Sequence, residues 1–264
     1  VEIAVIVVHF GRICPLGIGH VASRNIAERE PFAHFLRATG LDRVTDKPVC
    51  TAMFASGYDY EHNMSVLLPS DMPEPNSPGH HDAFLRLLYE VHVAMGGSVL
   101  TLFTNRREME AFYRELKPLL ANEGIELVAQ TRGTSTKSLR DRFLSDRNLS
   151  MFALKSFWEG FDAPGDTLRC VIIARLPFSR PDDPITRERE VRDGRAAWGR
   201  YSLPEAVMDL KQAAGRLIRN STDSGWLVLA DARLQTKNYA KSFLRAMPTP
   251  DIRTLATDEI ARLM

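Results

Sequence analysis

The stretch GSVLTLFTNRREMEAFYRELKPLLANEGIELVAQ, residues 97–130, decides the fold. The apolar run at 98–103 predicts a buried strand, because short runs that are apolar on both faces are typical of parallel sheets. Apolar residues at helical spacing among charged ones predict an amphipathic helix over 107–120, and the run at 125–129 predicts the next strand. The order strand, helix, strand indicates a parallel sheet covered by helices.

The same alternation extends through most of the chain. Further strands are predicted at 150–154, 168–174 and 225–229. Further helices are predicted at 81–94, 136–144, 204–218 and 237–247. We therefore expect a doubly wound α/β fold with a mostly parallel sheet. Four prolines between positions 69 and 78 predict a linker-like interruption before the first of these helices.

Composition limits the classes of function. The chain has 264 residues, 44% of them hydrophobic, and a formal net charge of +1, so the overall charge gives no signal for or against a polyanionic partner. Cys14, Cys50 and Cys170 match no zinc or disulfide spacing, and three thiols cannot hold a four-thiolate iron–sulfur cluster. No apolar run reaches the roughly 18 residues of a membrane span. We expect a cytoplasmic protein without a membrane partner.

The strongest chemical signal is QAAGRLIR, residues 212–219. On a helix, the spacing of Gln212, Gly215, Arg216 and Arg219 places these four residues on one face. Two guanidinium groups and an amide would then project together, an arrangement that suits the terminal phosphates of a nucleotide. The alternative is a solvated face of an amphipathic helix, which the ordered pattern makes the weaker interpretation.

Two other segments follow predicted strands, where functional loops of parallel sheets lie. SFWEGFDAPGD, residues 156–166, offers polar side chains and a Pro-Gly turn, although such a loop is also an ordinary connection between strands. Thr104 and Asn105 end the strand at 98–103. They are placed to cap the following helix, and they are also placed to donate to a phosphate.

These three segments, in this order, resemble motifs IV, V and VI of superfamily 2 helicases. The closest resemblance is to the DinG family, relatives of the xeroderma pigmentosum group D helicase. Two longer stretches resemble the same family, VIIARLPFSRPDDPITRERE at 171–190 and WLVLADARLQTKNYAKSFLRAMP at 226–248. The resemblance covers residues 60–250 and implies a RecA-like lobe.

In that family, two RecA-like lobes close on ATP and on single-stranded DNA. By resemblance, the residues expected to act at the γ-phosphate are Gln212, Arg216 and Arg219. The residues expected to bind the nucleotide and couple it to DNA are Glu159, Gly160, Asp162 and Gly215. The residues expected to contact the DNA backbone are Thr104, Asn105 and Ser156. A neighbouring aromatic pair, Phe157 and Trp158, is expected either to stack on a base or to pack in the core.

The chain departs from the family in its first part. It has no G-x-x-x-x-G-K-[ST] phosphate loop, and the pair Asp258 and Glu259 is not expected to follow a strand as a magnesium-binding motif does. ATP and Mg²⁺ are therefore expected to bind mainly to a first lobe, in cis or in trans. Residues 1–45 are expected to be a divergent remnant of that lobe, and residues 46–264 the second lobe.

These expectations define an ATP-dependent DNA helicase of 5′-to-3′ polarity, whose isolated second lobe is inactive. An iron–sulfur cluster is not expected in this chain. Two alternatives stay open. One is a module that binds single-stranded nucleic acid or a partner protein and hydrolyses nothing, and the other is a fragment of a disrupted helicase gene.

Overall fold

The computed structural model describes residues 3–8, 33–45, 49–54, 58–157 and 167–264. The strands in these ranges are β1 Ile3–Val8, β2 Val49–Phe54, β3 Met64–Pro69, β4 Val99–Phe103, β5 Glu126–Ala129, β6 Leu149–Leu154, β7 Cys170–Ile173, β8 Gly225–Leu229 and β9 Ile252–Leu255. The α-helices are α1 Ala33–Thr39, α2 Tyr60–Asn63, α3 His80–Met95, α4 Arg106–Asn122, α5 Thr136–Ser145, α6 Pro184–Asp193, α7 Leu203–Ala214, α8 Arg233–Thr236, α9 Ala240–Leu244 and α10 Thr257–Leu263.

Seven strands form one sheet in the order β5-β6-β4-β7-β8-β3-β9. Every neighbouring pair in it is parallel. This confirms the predicted α/β class with a mostly parallel sheet. Because all seven strands point the same way, their carboxyl ends meet at one edge, here called the carboxyl edge, and their amino ends meet at the opposite edge, here called the amino edge.

Side chains alternate between the two faces of this sheet, and each face has its own hydrophobic core. Val66 and Leu68 of β3 point into the first core, which also takes the buried side of α7, whereas Leu67 points into the second core, which takes α3 and α4. Strands buried on both sides explain why the sequence showed continuous apolar runs rather than alternation.

The observed boundaries of the central elements agree with the predicted ones, whereas elements further along the chain differ from the predictions. The predicted strand 225–229 is β8, and the predicted helix 81–94 is α3 with one more residue at each end. The helix predicted at 237–247 is shorter in the structure: α9 takes only Ala240–Leu244, and extended Lys237 separates it from α8. β9 precedes α10, so Asp258 and Glu259 do follow a strand; Asp258 pairs with Arg262 and Glu259 caps the Ala256 N–H.

The proline-containing stretch is a loop between β3 and α3, within one sheet domain. Asn76 has a positive φ of 67°, and Gly79 precedes α3 with a φ of 79°. The loop closes on itself through the Ser77 hydroxyl, which donates to the Glu74 carbonyl at 2.5 Å. The prolines therefore interrupt regular structure as predicted, but they connect two elements of the same lobe.

A buried histidine connects α3 to the sheet. His92 is fully buried, and its ring nitrogens lie 2.8 Å from Ser150 Oγ on β6 and 3.2 Å from Thr101 Oγ1 on β4. Burial lowers the pKa of His92 to about 3, because the charged imidazolium would lose its hydration. The side chain is therefore neutral at pH 7 and acts as a polar tie inside the second core.

The first part of the chain contributes a separate two-stranded sheet. β1 and β2 pair antiparallel, from Ile3 opposite Phe54 to Val8 opposite Val49. This sheet joins segments from both sides of the predicted division at residue 45, which stays a prediction. Helix α1 lies between these two strands in the sequence, and residues 9–32 lie outside the described part of the chain.

Candidate functional site

Helix α7 ends before the two arginines of the QAAGRLIR stretch. Its last residue is Ala214, and Gly215 caps it with a right-handed backbone at φ −67°. Gln212 lies exposed in the last turn, Arg216 follows the cap, and Arg219 lies outside the helix. The prediction that one continuous helical face carries these residues is therefore wrong.

A buried carboxylate, Asp223, diverts the chain from the helix. In a continued helix the Arg219 N–H would bond to the carbonyl of Gly215. Instead, Asp223 Oδ2 accepts from the Arg219 N–H at 2.7 Å and from the Asn220 N–H at 3.0 Å. The Asn220 side chain accepts in turn from the Thr222 N–H at 2.8 Å. Short polar side chains compete with helices in this way, and the low helix propensity of glycine favours the break.

The segment after α7, residues 215–223, is called here the arginine turn, and it packs at the amino edge. A Cβ added to Gly225, the first residue of β8, would lie 2.7 Å from Leu217 Cδ1 and 2.5 Å from the Arg169 carbonyl oxygen. Only glycine permits so close an approach. Leu217 and Ile218 are buried in the first core, so the turn is anchored by packing as well as by Asp223.

Both predicted catalytic arginines stand on this anchored turn. Arg216 and Arg219 are half-buried, whereas Gln212 is exposed. A guanidinium on a fixed backbone loses less conformational entropy when it binds an anion than one on a mobile segment does. The structure thus brings Arg216 and Arg219 onto one short turn at the amino edge. The general rule that ligands of parallel sheets bind at the carboxyl ends of the strands does not predict this position.

Thr104 and Asn105 lie at the carboxyl edge, directly after β4. Asn105 is the N-cap of α4, and its side chain accepts from the N–H groups of Arg107 at 2.9 Å and Glu108 at 3.4 Å. The capping alternative is therefore confirmed for Asn105. Thr104 is half-buried beside it. Contacts of these two residues with DNA stay a prediction.

The segment after β6 lies at the same edge. Ser156 belongs to the 3₁₀ turn Lys155–Phe157, and the side chain of Phe157 is buried in the first core, as the packing alternative predicted. The Lys155 ammonium pairs with Asp209 on α7, which joins this strand end to the helix that leads into the arginine turn. The remaining predicted residues of the loop lie outside the described part of the chain: Trp158, Glu159, Gly160 and Asp162.

Arg175 was given no role from the sequence, although it lies two residues after the end of β7. Its guanidinium donates to Glu108 in the first turn of α4 at 2.9 Å and to Asn76 Oδ1 at 3.0 Å. His80, the first residue of α3, is 5% exposed, and burial together with the charge of Arg175 lowers its pKa. The position of Arg175 directly after the strand predicted at 168–174 was the sequence signal that could have identified it as a candidate.

The Asp-x-Arg turn after β8 is held in place by hydrogen bonds at the carboxyl edge. Buried Asp231 accepts from the Leu176 N–H at 2.8 Å and from two nitrogens of Arg233 at 2.9 and 2.6 Å. The hydrogen bond to Asp231 raises the pKa of Arg233. The loops after β7 and β8 are therefore tied to one another.

The predicted site residues that the structure describes separate into two sets on opposite edges of the sheet. Gln212, Gly215, Arg216 and Arg219 lie toward the amino edge, whereas Thr104, Asn105 and Ser156 follow strands at the carboxyl edge. The described residues contain no group of three or more His, Cys, Asp or Glu side chains that could hold a metal ion. Within the same ranges, no helix is both long and apolar enough to cross a membrane.

Comparison with known proteins points to one family. A model described as the helicase C-terminal domain matches residues 88–250. The ATP-dependent DNA helicase YoaA of Escherichia coli is 31% identical over 239 residues, which cover 89% of this chain and 36% of that protein. The 3′-5′ exonuclease DinG of Bacillus subtilis is 31% identical over 217 residues, which cover 80% of this chain and 23% of that protein.

A solved structure shows the same fold. An XPD helicase structure superposes with a TM-score of 0.57 at 16% identity, over 73% of this chain and 35% of that one. This confirms the predicted RecA-like architecture of the seven-stranded sheet. The chain spans between about a quarter and just over a third of the length of the two curated relatives described above.

Proposed function

The chain belongs to the helicase C-terminal domain family, as the second RecA-like lobe of a DinG-type helicase, and from this premise we propose that it works within an ATP-dependent DNA helicase. In this proposal the first lobe binds most of the nucleotide. The present chain supplies arginines from its amino edge and DNA contacts from its carboxyl edge. Cycles of closure between the two lobes move a single strand, with 5′-to-3′ polarity expected from the family.

Arg216 and Arg219 are proposed to reach the γ-phosphate, with Gln212 and Gly215 beside them. Guanidinium groups stay charged at all working pH values and bind phosphate oxygens in a fork, so they stabilise the charge that develops during phosphoryl transfer. The observation that supports this role is the arginine turn itself, since Asp223 and two buried apolar residues fix its backbone.

The metal is assigned to the other lobe. The ground is the sequence, which lacks the G-x-x-x-x-G-K-[ST] loop whose hydroxyl would bind Mg²⁺ beside the phosphates. When bound, Mg²⁺ would neutralise charge on the β- and γ-phosphates. The proposed role of this chain is to position two guanidinium groups at the γ-phosphate and to help exclude water when the lobes close.

The carboxyl edge is proposed to hold the DNA backbone. Thr104, Asn105 and Ser156 follow the neighbouring strands β4 and β6, whose backbones lie about 4.8 Å apart in the sheet. Glu159, Gly160 and Asp162 would continue this surface and couple it to the nucleotide. Lys155 supports such coupling, because its ion pair with Asp209 connects the edge to α7.

The test is DNA-stimulated ATP hydrolysis after the chain is combined with a complete first lobe. An arginine that stabilises the transition state contributes on the order of 10³-fold to the rate, so Arg216→Ala and Arg219→Ala should each lower kcat by about that factor. Arg114→Ala is the matched control, because Arg114 is exposed on α4 at the other face of the sheet. If either variant at the turn stays within about twofold of the unaltered protein, the assignment of that arginine is wrong.

A module that binds single-stranded nucleic acid or a partner protein without hydrolysis is the second candidate, motivated by the absence of a G-x-x-x-x-G-K-[ST] phosphate loop from this sequence. The same reconstitution separates the two functions. Salt-dependent binding of an oligonucleotide, with no ATP hydrolysis at any ratio of the two lobes, would favour the binding module. DNA-dependent hydrolysis that appears only in the mixture would favour the helicase lobe.

A further inference from the structure

An exposed tryptophan lies in an aromatic cluster outside the residues discussed so far. Trp198 begins the π-helical turn Trp198–Ser202, and 44% of its surface is exposed. Its ring stacks on Phe178 at a centroid distance of 6.2 Å and an interplanar angle of 28°, and it lies 5.4 Å from the ring of Tyr239. The indole is therefore fixed by its neighbours while a large part of it stays open to solvent.

The cluster lies at the carboxyl edge, on the same side as the predicted DNA contacts. Phe178 stands in the loop after β7, and Tyr239 stands after β8, beyond the tied Asp231 turn. From the end of β6, which leads to Ser156, to the end of β8 is three strand spacings, or about 14 Å. Phe178 and Tyr239 also pack on the first core, which buries Phe157 beside Ser156. A nucleic-acid strand along this edge would pass from Ser156 to Trp198.

The charge around Trp198 favours a polyanion over an apolar partner. Residues 187–200 contain five arginines against three carboxylates, whereas the whole chain carries a net charge of only +1. Arg195 and Arg200 flank the tryptophan in sequence, and both are exposed. The Arg233 guanidinium also lies 5.7 Å from the Phe178 ring, but its charge is balanced by the ion pair with Asp231. A protein partner that covers an aromatic patch is not expected to require this basic rim.

We propose that Trp198, supported by Phe178 and Tyr239, is a stacking platform for one base of single-stranded DNA, with the flanking phosphates on Arg195 and Arg200. The inference rests on the proposed function and assigns to it a base-contacting residue. Every base has a π-face, so such a platform holds a strand without reading its sequence. Irregular π-helical turns are frequent at functional sites, and this one presents the indole at its first residue.

The experiment compares binding of two oligonucleotides of equal length, one with bases and one fully abasic, to the full chain. Both carry the same phosphates, so the ratio of their affinities isolates base contacts. Trp198→Ala should weaken binding of the base-bearing strand at least about fivefold and binding of the abasic strand less than twofold. Leu119→Ala is the matched control, because Leu119 is a similarly exposed apolar residue on α4, across the sheet.

A second measurement does not depend on the alanine variant folding well. The chain has three tryptophans, and a stacked base quenches indole fluorescence, so the quenching seen with the base-bearing strand should be smaller in Trp198→Phe, which keeps a ring. Binding of the base-bearing strand by Trp198→Ala within twofold of the unaltered chain would overturn the platform and leave the proposed function standing. Equal losses for both strands would also overturn it. Failure of the unaltered chain to bind either strand would contradict both proposals.

Discussion

Replacement of Asp223 by alanine tests whether a single carboxylate fixes the arginine turn. Its side chain is 5% exposed and accepts from two backbone N–H groups, at 2.7 and 3.0 Å. A hydrogen bond to a charged acceptor contributes about 1.5–3 kcal/mol, so loss of both should lower the free energy of unfolding by about 3 kcal/mol. For a chain of this size that corresponds to a fall in Tm of about 6–12 °C.

Urea unfolding and thermal melting of the isolated chain measure this effect. Asp223→Asn keeps an acceptor oxygen without the charge, so it should lose only about 1 kcal/mol. Asp182→Ala is the control, since Asp182 is exposed and should change stability by less than about 0.5 kcal/mol. If Asp223→Ala costs no more than Asp223→Asn, the carboxylate does not hold the turn, and the explanation for the end of α7 fails.

Three further predictions concern stability. The pKa of His92 is lowered to about 3 in the folded chain against about 6.5 when unfolded, so protonation favours the unfolded state. The free energy of unfolding should therefore fall by up to about 1.4 kcal/mol per pH unit below pH 6.5. Urea titrations at pH 7 and pH 5 measure this fall, and His92→Gln should remove the part of it that His92 causes. Gly225→Ala should lower the free energy of unfolding by about 1–3 kcal/mol, because the added Cβ would lie 2.5 Å from a backbone oxygen. Gly199→Ala is the control, since a Cβ there meets nothing within 4 Å and should leave Tm unchanged or higher. Equal melting temperatures of the two variants would argue against the close packing at Gly225. Asn105→Ala should cost about 1 kcal/mol by loss of the helix cap and Asn105→Asp should not, and an unchanged Tm in the alanine variant would show that the cap is dispensable.

The centre of the fold was predictable because its signals are local. β4, α4 and β5 each show the apolar spacing of a buried strand or an amphipathic helix, and their boundaries follow within one or two residues. β3 and β9 were missed, because the first lies beside a proline-containing loop and the second, IRTL, is not an apolar run and has an exposed centre. Their place in the sheet depends on pairing between residues almost 190 positions apart, such as Val66 opposite Ile252.

Sequence patterns selected the residues of the candidate site, but they did not predict the backbone that carries them. The pattern around Arg216 predicted a nucleotide-facing group, and helical spacing then predicted a continuous face through Arg219. The turn that replaces this face depends on Asp223, four residues further on, which a periodicity argument does not weigh. The platform at Trp198 had no sequence signal at all, since the exposure of one indole depends on loops from two different strands.

We propose that the two edges of one sheet serve two ligands, with the arginines of the amino edge at the nucleotide and the carboxyl edge at DNA. The most direct measurement is the DNA affinity and the DNA-stimulated ATP turnover of a reconstituted two-lobe protein that carries both Arg216→Ala and Arg219→Ala. We predict that kcat falls by a factor on the order of 10³ or more, while the Kd for single-stranded DNA without nucleotide stays within about twofold. A parallel loss of both quantities, or turnover that survives the double substitution, would contradict the claim.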